Sequence, residues 1–303
     1  MLNFLYVIGH LTIDEIFRGQ ELIRRIGGTA YYSSISAKIL GWNCKLISKV
    51  GRDFPEDYLK YLNSIGLDIS GVKFSDFPST SFILRYDDTG RTLYLKSRCE
   101  DIFIDDIRAS IDGDAIIHIG SVINEVSLET VDYISSKAKM ISIDLQGFLR
   151  FFDLNGSIKL VKPIFVDELL SKVDVVHCDG FEASVATGIK DPVKAAMHMC
   201  NTYNVIVLLT LGGEGSCVFH RDEAYYVPSI VKRVVEETGA GDIYTSAFLY
   251  WYTSTRKLLE SAIYSSSVAS VYVEYGDVFS LRDTNLIDLK MNELWRHVRR
   301  LSL

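Results

Sequence analysis

The sequence predicts an α/β fold in which a mostly parallel central sheet is flanked by helices and carries a small β lid. Strand-like apolar runs alternate with helical patterns, and these runs are apolar at nearly every position. Strands that are apolar on both faces are typical of a parallel sheet covered by helices on each side. Two further pairs of strand-like segments interrupt the alternation, and they predict the lid.

The central strands are the most strongly patterned elements of the chain. Each is rich in β-branched and apolar residues without polar alternation, which indicates burial on both faces. The six predicted strands are Asn3–Gly9, Cys44–Gly51, Asp114–Gly120, Met140–Gly147, Lys172–Cys178 and Asn204–Gly212.

Helical patterns lie between these strands. One predicted helix covers Tyr31–Leu40 and stops at a glycine. A second lies in "RDFPEDYLKYLNSIG", with Asp53 as a candidate N-cap and Pro55 in the first turn. The basic run "RHVRR", Arg296–Arg300, is predicted to be the solvated face of a last helix.

Two segments, about 11–26 and 72–100, are predicted to form the lid. The second contains two strand-like runs around a D-D-T-G turn, and the first has a candidate turn at Gly19. The alternative is an antiparallel extension at the edge of the main sheet. With five prolines and no low-complexity tract, the chain (1–303) is predicted to be a single domain with the lid inserted in it.

Composition excludes several classes of partner. The net charge is −7 and the pI is near 5.4, which disfavours nucleic acid and anionic membranes. No apolar run is long enough to span a bilayer, and the start "MLNFLYVIGH" lacks the pattern of a signal peptide. The five cysteines are widely spaced without a C-x-x-C motif, so we expect a reducing, cytoplasmic location.

Common catalytic motifs are missing. No P-loop and no G-x-S-x-G elbow occurs, and "GAGDIY" matches only part of a dinucleotide fingerprint. The histidines show no metal-binding pair on one helix face. His177, next to Cys178, is interpreted as a strand-end residue rather than a metal ligand.

The stretch "VVEETGAGDIYTSAFLYW" carries the strongest functional signal. Gly239, Ala240 and Gly241 precede Asp242 at the start of a helical pattern. Small residues at a helix start let backbone N–H groups approach a phosphate closely. The alternative is a plain turn, with Asp242 as a carboxylate favoured by the helix dipole.

Four motifs in this order resemble one family. They are "GHLTID", "RIGGTAYYSSISAKILG", "LTLGGEGS" and "EETGAGD". Together they are similar to the ribokinase-like (PfkB) family of carbohydrate, nucleoside and polyol kinases, over nearly the whole chain. The resemblance implies a ribokinase-like fold and ATP-dependent kinase activity. The form "IDLQGFLR" favours the inositol-kinase-like branch.

The resemblance assigns roles around the helix start. It implies that Asp242 is the catalytic base, and that the N–H groups of Gly239, Ala240 and Gly241 face the transferring phosphoryl group. It further implies that Thr238 lines the nucleotide site together with residues of "LTLGGEGS", the counterpart of the family's V-T-L-G-x-x-G element. These residues are Thr210, Gly212 and Gly215. The alternative for these three is a plain strand and turn.

For the metal, the family pattern N-x-x-E has its counterpart in Asp179 and Glu182. The resemblance implies that they hold Mg²⁺ through water, although Asp stands where the family usually has Asn. The alternative is a structural one, because Asp179 could cap a helix and pair with Glu182 in a capping box. Both roles are compatible with each other.

For the phosphate acceptor, the resemblance implies contacts from the first loops. The expected substrate-binding residues are Asp14, Gly27, Gly28, Tyr32 and Gln146. A carboxylate that accepts from neighbouring hydroxyls suits a polyol, sugar or nucleoside. Tyr32 stands where the sugar-kinase pattern usually has Asn, and "EETGAGD" departs from the usual D-T-x-G-A-G-D.

The sequence therefore predicts an ATP- and Mg²⁺-dependent kinase that phosphorylates a hydroxyl of a small molecule. The runs "FILRY" and "TLYL" are predicted to form an exposed apolar lid face, a candidate homodimer surface. One alternative is a non-catalytic sensor on the same scaffold. A nucleotide-cofactor oxidoreductase is a weaker alternative, because no full dinucleotide loop is visible.

Overall fold

The computed structural model of the chain describes residues 4–19, 21–87, 90–108, 110–111 and 115–302. Asn3 and Asp114, which begin two predicted strands, lie outside the described residues, as do Asp88 and Thr89 in the D-D-T-G turn. The strands are β1 (Leu5–Ile8), β2 (Thr12–Arg18), β3 (Glu21–Gly27), β4 (Cys44–Gly51), β5 (Asp68–Ser75), β6 (Ser81–Asp87), β7 (Gly90–Ser97), β8 (Ile116–Ile119), β9 (Met140–Asp144), β10 (Arg150–Phe152), β11 (Ile158–Leu160), β12 (Val175–Asp179), β13 (Ile206–Thr210), β14 (Gly215–His220), β15 (Glu223–Pro228) and β16 (Arg299–Arg300).

Helices separate most of these strands. They are α1 (Thr29–Ile39), α2 (Glu56–Ser64), α3 (Ile104–Ile107), α4 (Leu128–Ser135), α5 (Gln146–Leu149), α6 (Val166–Leu170), α7 (Gly180–Thr187), α8 (Pro192–Tyr203), α9 (Ala240–Thr255), α10 (Leu258–Tyr275) and α11 (Thr284–Leu294). In the described part of the chain, no helix is long and apolar enough to cross a membrane.

The main sheet has the strand order β16-β15-β14-β13-β12-β9-β8-β1-β4-β5. From β5 to β13 neighbouring strands are parallel, and β14, β15 and β16 continue the sheet antiparallel. The predicted mostly parallel sheet flanked by helices is thus confirmed. The carboxyl ends of the parallel strands meet at one edge, where open α/β sheets bind ligands.

Strand β1 shows why the central runs are apolar at every position. Leu5 and Val7 pack into one hydrophobic cluster with residues of α1, α9 and α10. Tyr6 and Ile8 pack into a second cluster with residues of α4, α7 and α8. Successive side chains of a strand point to opposite faces, so a sheet covered on both faces needs apolar residues at each position.

The lid is a separate sheet with the order β3-β2-β6-β7, rather than an extension of the main sheet. The parallel pairing of β2 with β6 joins the two lid segments. The second segment begins later than expected, because Val72–Ser75 pairs with β4 inside the main sheet. Phe82 and Leu84 of "FILRY" are buried. The prediction of an exposed apolar lid face is therefore wrong at these two positions.

Two local expectations are corrected. Asp53 does not cap α2, whose N-cap is Pro55 without a side-chain cap. Its carboxylate instead accepts hydrogen bonds from the N–H and hydroxyl of Ser79, each 2.8 Å, and so ties the end of β4 to the lid entrance. The run Arg296–Arg300 is not a helix face, because α11 ends earlier and Arg299–Arg300 forms an edge strand that pairs with β15.

The five cysteines are buried and free. The cytoplasmic location stays a prediction.

Candidate active site

Two cavities open at the carboxyl edge of the main sheet and meet at the start of α9. Asp144, Asp179 and Thr210 end the neighbouring strands β9, β12 and β13 at this edge. Asp179, Thr210, Glu237 and Gly241 line both cavities. The strand order therefore collects residues far apart in the sequence around one helix N-terminus.

The first cavity lies under the lid and has a volume of about 230 Å³. Its wall combines apolar lid side chains with charged and hydrogen-bonding groups. The residues that line it besides the shared four are Thr12, Asp14, Gly28, Thr29, Tyr32, Phe82, Leu84, Leu93, Val122, Asp144, Gln146, Arg150, His177, Glu182, Thr238, Gly239 and Asp242. We call it the acceptor cavity.

The second cavity lies between the β13–β14 turn and helix α10, and has a volume of about 470 Å³. Small and apolar residues dominate its wall. Those besides the shared four are Gly212, Gly213, Gly215, Ser216, Pro228, Ser229, Val231, Val234, Ala240, Tyr244, Ser266, Ala269, Ser270 and Val273. We call it the donor cavity. The structure thus brings Thr210, Gly212 and Gly215 together here, but places Thr238 and Gly239 in the acceptor cavity.

Close packing at the start of α9 requires glycine at positions 239 and 241. Gly239 is the N-cap with φ of 82°, and a Cβ there would overlap the ring of Tyr32. A Cβ on Gly241 would lie 2.8 Å from Cε1 of His177. The N–H of Ala240 already donates to the Glu237 carbonyl at 3.1 Å, so it is not a free anion donor as expected. The N–H groups of Gly241 and Asp242 have no acceptor among the described residues.

Asp242 lines the acceptor cavity next to Gly241, which belongs to the wall of both cavities. The side chain of Thr29 lies beside the Asp242 carboxyl and favours its ionised form. Removal from water, followed by the charge of Asp144, raises the pKa of Asp242 to about 7, against the opposing charge of His177. A carboxyl with a pKa near neutral pH is well matched to general-base catalysis.

A chain of hydrogen bonds crosses the acceptor cavity and ends at Thr29, beside this carboxyl. Arg150 Nη2 donates to Gln146 Oε1 at 2.6 Å, and Gln146 Nε2 donates to Thr29 Oγ1 at 2.6 Å. Gln146 therefore lines the cavity as expected and also fixes the side chain of Thr29.

His177 lies beneath the helix start and forms a pair with Asp144. Its Nδ1 is 2.7 Å from Asp144 Oδ2, and its Nε2 is 3.2 Å from Thr210 Oγ1. Burial alone would lower the pKa of His177, but the charge and hydrogen bond of Asp144, with the charges of Glu182 and Asp242, raise it to about 9. The raised pKa favours the protonated form of His177, whose ring lies beside Gly241.

Asp179 and Glu182 form a capping box at the start of α7. The N–H of Glu182 donates to Asp179 Oδ1 at 2.7 Å, and the N–H of Asp179 donates to Glu182 Oε2 at 2.9 Å. Burial, followed by the charges of Asp144 and Asp179, raises the pKa of Glu182 to about 8. The structural alternative is therefore correct for both residues, and it leaves one oxygen of each carboxyl outside the box.

These two carboxyls fit a metal only in a limited way. In the described residues, no group of three or more His, Cys, Asp and Glu side chains could hold a metal ion. Mg²⁺ usually keeps several waters and binds through one or two carboxylates plus substrate phosphates. The remaining oxygens of Asp179, which is exposed, and Glu182 fit that kind of contact.

Asp14 points into the acceptor cavity from strand β2. Thr12 Oγ1 donates to Asp14 Oδ1 at 2.8 Å, which fixes the carboxylate. Gly27 does not line the cavity; a Cβ there would overlap the Asp14 carboxylate, so this glycine makes room for the side chain rather than for a substrate. Gly28 lines the cavity, with φ of 94° at the N-cap of α1. Tyr32 also lines it, with its ring packed on Gly239.

Sequence reasoning missed two of the groups around Asp242. His177 was interpreted as a strand-end residue, and Thr29 was not singled out. The position of each residue could have indicated it. His177 lies near the carboxyl end of the buried strand β12, and Thr29 begins the helix that follows the glycine turn. Asp144 and Arg150 entered only as part of "IDLQGFLR", although both belong to the hydrogen-bonded network of the site.

The fold places two joined cavities at the carboxyl edge of the main sheet, where open α/β sheets bind ligands. The model of the pfkB family of carbohydrate kinases matches residues 5–284. The chain therefore belongs to the pfkB family, as the sequence motifs predicted.

Relatives with different acceptors resemble the chain to similar degrees. The cytidine kinase of Thermococcus kodakarensis is 28% identical over 273 residues, which cover 84% of this chain and 91% of that protein. The inositol 3-kinase of Arabidopsis thaliana is 25% identical over 276 residues, which cover 89% of this chain and 73% of that protein. The presence of an inositol kinase agrees with the branch that the sequence favours.

Solved structures share the fold across nearly the whole chain. A pyrophosphate-dependent myo-inositol-1 kinase that was converted into a myo-inositol-3 kinase has a TM-score of 0.83 at 23% identity, covering 94% of this chain and 98% of that one. A fructokinase of Vibrio cholerae bound to fructose, ADP and calcium has a TM-score of 0.77 at 15% identity, covering 96% and 99%. At these identities the likeness shows the fold.

Proposed function

We propose that the chain transfers the γ-phosphoryl group of ATP to a hydroxyl of a small polyol, sugar or nucleoside. The observation that carries this proposal is the meeting of the acceptor and donor cavities at Gly241, next to Asp242. Phosphoryl transfer needs mainly positioning and charge stabilisation, and this arrangement would bring donor and acceptor together beside one carboxylate.

In the proposed reaction, the hydroxyl oxygen of the acceptor attacks the γ-phosphorus while Asp242 accepts the hydroxyl proton. The bond between the γ-phosphorus and the β–γ bridging oxygen breaks, and ADP leaves. The side chain of Thr29 lies beside the carboxyl and favours its ionised form, which is the form that accepts the proton. The N–H groups of Gly241 and Asp242 and the imidazolium of His177 stabilise the negative charge of the transferring group. Bound Mg²⁺ would neutralise charge on the donor phosphates, with Asp179 and Glu182 as the residues that contact its waters.

The donor proposal rests on the shape of the donor cavity. Beyond the glycine turn it extends along Val231, Val234, Ala269 and Val273, which offer apolar surface and no charge. A nucleobase and ribose would cover that surface, whereas pyrophosphate would leave it empty. This supports ATP over pyrophosphate, the donor of the structurally similar inositol kinase.

The acceptor proposal rests on the mixture of groups in the acceptor cavity. Asp14, Gln146 and Arg150 offer acceptors and donors for hydroxyls, while Phe82 and Leu84 close the opposite side. Polar groups placed against an apolar wall suit a compact polyhydroxy compound with an apolar face. Closure of the lid over this compound would exclude water and suppress ATP hydrolysis.

The proposal is tested by ADP release from the purified protein with ATP and Mg²⁺ against myo-inositol, ribose, fructose, glucose, adenosine and cytidine. We expect one compound or one chemical class to stimulate ADP release strongly. Replacement of ATP by pyrophosphate should abolish transfer of phosphate to that compound. Binding of ATP without turnover across the panel would favour the non-catalytic sensor, and transfer from pyrophosphate alone would overturn the donor assignment.

A further inference from the structure

One ion pair connects the lid to the turn that precedes the active-site helix. Arg25 Nη1 donates to Glu236 Oε2 at 2.6 Å, across 211 positions of sequence. The side chains are 28% and 15% exposed, so the pair is partly withdrawn from water. Arg25 Nε has no hydrogen-bond partner among the described residues, so Glu236 is the contact that holds the guanidinium.

On the lid side, Arg25 lies next to the acceptor cavity. In the antiparallel pair β2–β3, Arg25 is directly opposite Asp14. Residues opposite each other in such a pair have neighbouring side chains on the same face of the sheet. The side chains of Arg25 and Asp14 are therefore neighbours on one face of the lid.

On the donor side, Glu236 fixes the turn that leads to the anion-binding helix start. Its Oε1 accepts from the N–H of Thr238 at 2.8 Å. Its own N–H donates to the carbonyl of Val273 at 3.2 Å, and Tyr272 on the same helix α10 donates its hydroxyl to the carbonyl of Thr238 at 2.8 Å. Glu236 thus joins Arg25, α10 and the backbone immediately before Gly239.

We propose that the Arg25–Glu236 ion pair couples the acceptor side of the site to the donor side, so that donor binding at the helix start orders the lid strand opposite Asp14. The inference rests on the proposed function, because it requires a donor at that helix start. Both residues are positioning residues: neither lines the two cavities. Charge-assisted hydrogen bonds of this kind are geometrically specific, and coupling between two sites is reciprocal.

The test is amide hydrogen exchange of peptides from β2 and β3, with and without AMP-PNP and Mg²⁺, together with the affinity for AMP-PNP. In the wild-type protein we expect AMP-PNP to slow exchange in these strands by about fivefold or more, the lower end of typical coupling between sites. Arg25→Met and Glu236→Gln should each bind AMP-PNP but lose most of this protection. Their double variant should lose no more than either single variant, because one interaction carries the effect.

Two further variants separate coupling from stability. Arg25→Lys keeps the charge and should restore part of the protection. Lys96→Met removes another lid ion pair, Lys96 Nζ to Glu15 Oε1 at 2.7 Å, and should leave the response to AMP-PNP unchanged. If Arg25 only stabilised the fold, Arg25→Met would lower the melting temperature without changing the response of the lid to AMP-PNP.

The outcomes distinguish the inference from the function on which it rests. Binding of AMP-PNP without slower lid exchange in the wild-type protein, or with equal protection in Arg25→Met and Glu236→Gln, would overturn the coupling alone. Failure of AMP-PNP to bind the wild-type protein would overturn the donor assignment and the coupling with it.

Discussion

The acceptor cavity and the donor cavity share four wall residues but are built in different ways. The acceptor cavity is surrounded by groups that hold each other in place, such as Asp14 with Thr12 and His177 with Asp144. The donor cavity is bounded mainly by glycines and small or apolar side chains. Under the proposed function, this difference means that acceptor recognition depends on fixed polar partners, whereas donor recognition depends on space and on backbone N–H groups.

Apart from the base itself, we expect the largest loss at the point where the two cavities meet. Gly241→Val would place a branched side chain against the ring of His177 and in the path of the phosphoryl group. Loss of preorganised anion donors typically lowers turnover by about 10²–10³-fold. Steady-state kinetics with the identified acceptor check this value, and Gly188→Val, which strains the backbone at a glycine outside both cavities, is the control for loss of folding stability alone. Equal activity of the two variants would contradict the role of Gly241.

We expect binding of the acceptor to depend on the negative charge of Asp14. Asp14→Asn keeps the shape but weakens hydrogen bonds to substrate hydroxyls, and bonds to charged groups contribute about 1.5–3 kcal/mol. We expect KM for the acceptor to rise by about 10–100-fold, with KM for ATP nearly unchanged. Glu15→Gln, on the same strand but paired with Lys96, is the matched control. A rise in KM for ATP alone would contradict the assignment of Asp14 to acceptor binding.

We expect binding of ATP to weaken when a larger side chain fills part of the donor cavity. Ala269→Phe fills part of the donor cavity, and overpacking typically costs about 1–3 kcal/mol. We expect KM for ATP to rise by about tenfold with KM for the acceptor unchanged. If Ala269→Phe leaves KM for ATP as it is, the nucleobase does not occupy this part of the cavity.

The smallest expected effect is the dependence on pH near neutrality. The base form of Asp242 is the ionised carboxylate, and its pKa is raised to about 7. The value of kcat/KM should therefore rise with pH up to about 7 and fall towards tenfold for each unit below it. A profile measured from pH 5.5 to 8.5 that stays flat throughout would show that no group with this pKa acts as the base.

Much of the fold could be predicted because the buried strands have a local pattern. Strands such as β1 and β13 must be apolar on both faces, and the sequence shows this directly. The last strand could not be predicted, because Arg299–Arg300 is short, exposed and basic, and only its pairing with β15 makes it a strand. The parallel pairing of β2 with β6 is a long-range contact without a local signal.

The site could be predicted where one short motif carries it. The turn before Asp242 and the capping box of Asp179 with Glu182 are local in sequence, and both were recognised. The pair of His177 with Asp144 could not be found in this way, since it depends on β9 and β12 being neighbours in the sheet. The Arg25–Glu236 ion pair likewise joins segments that only the folded chain brings together.

The central claim is that Asp242 is the base between the two cavities, and single-turnover transfer from ATP to the identified acceptor tests it most directly. Wild type and Asp242→Asn would be compared at saturating concentrations of both substrates, with AMP-PNP affinity and melting temperature measured in parallel. We expect Asp242→Asn to fold and bind AMP-PNP, while its transfer rate falls by about 10²–10⁴-fold. A variant that keeps half of the wild-type rate would contradict the assignment of Asp242 as the base.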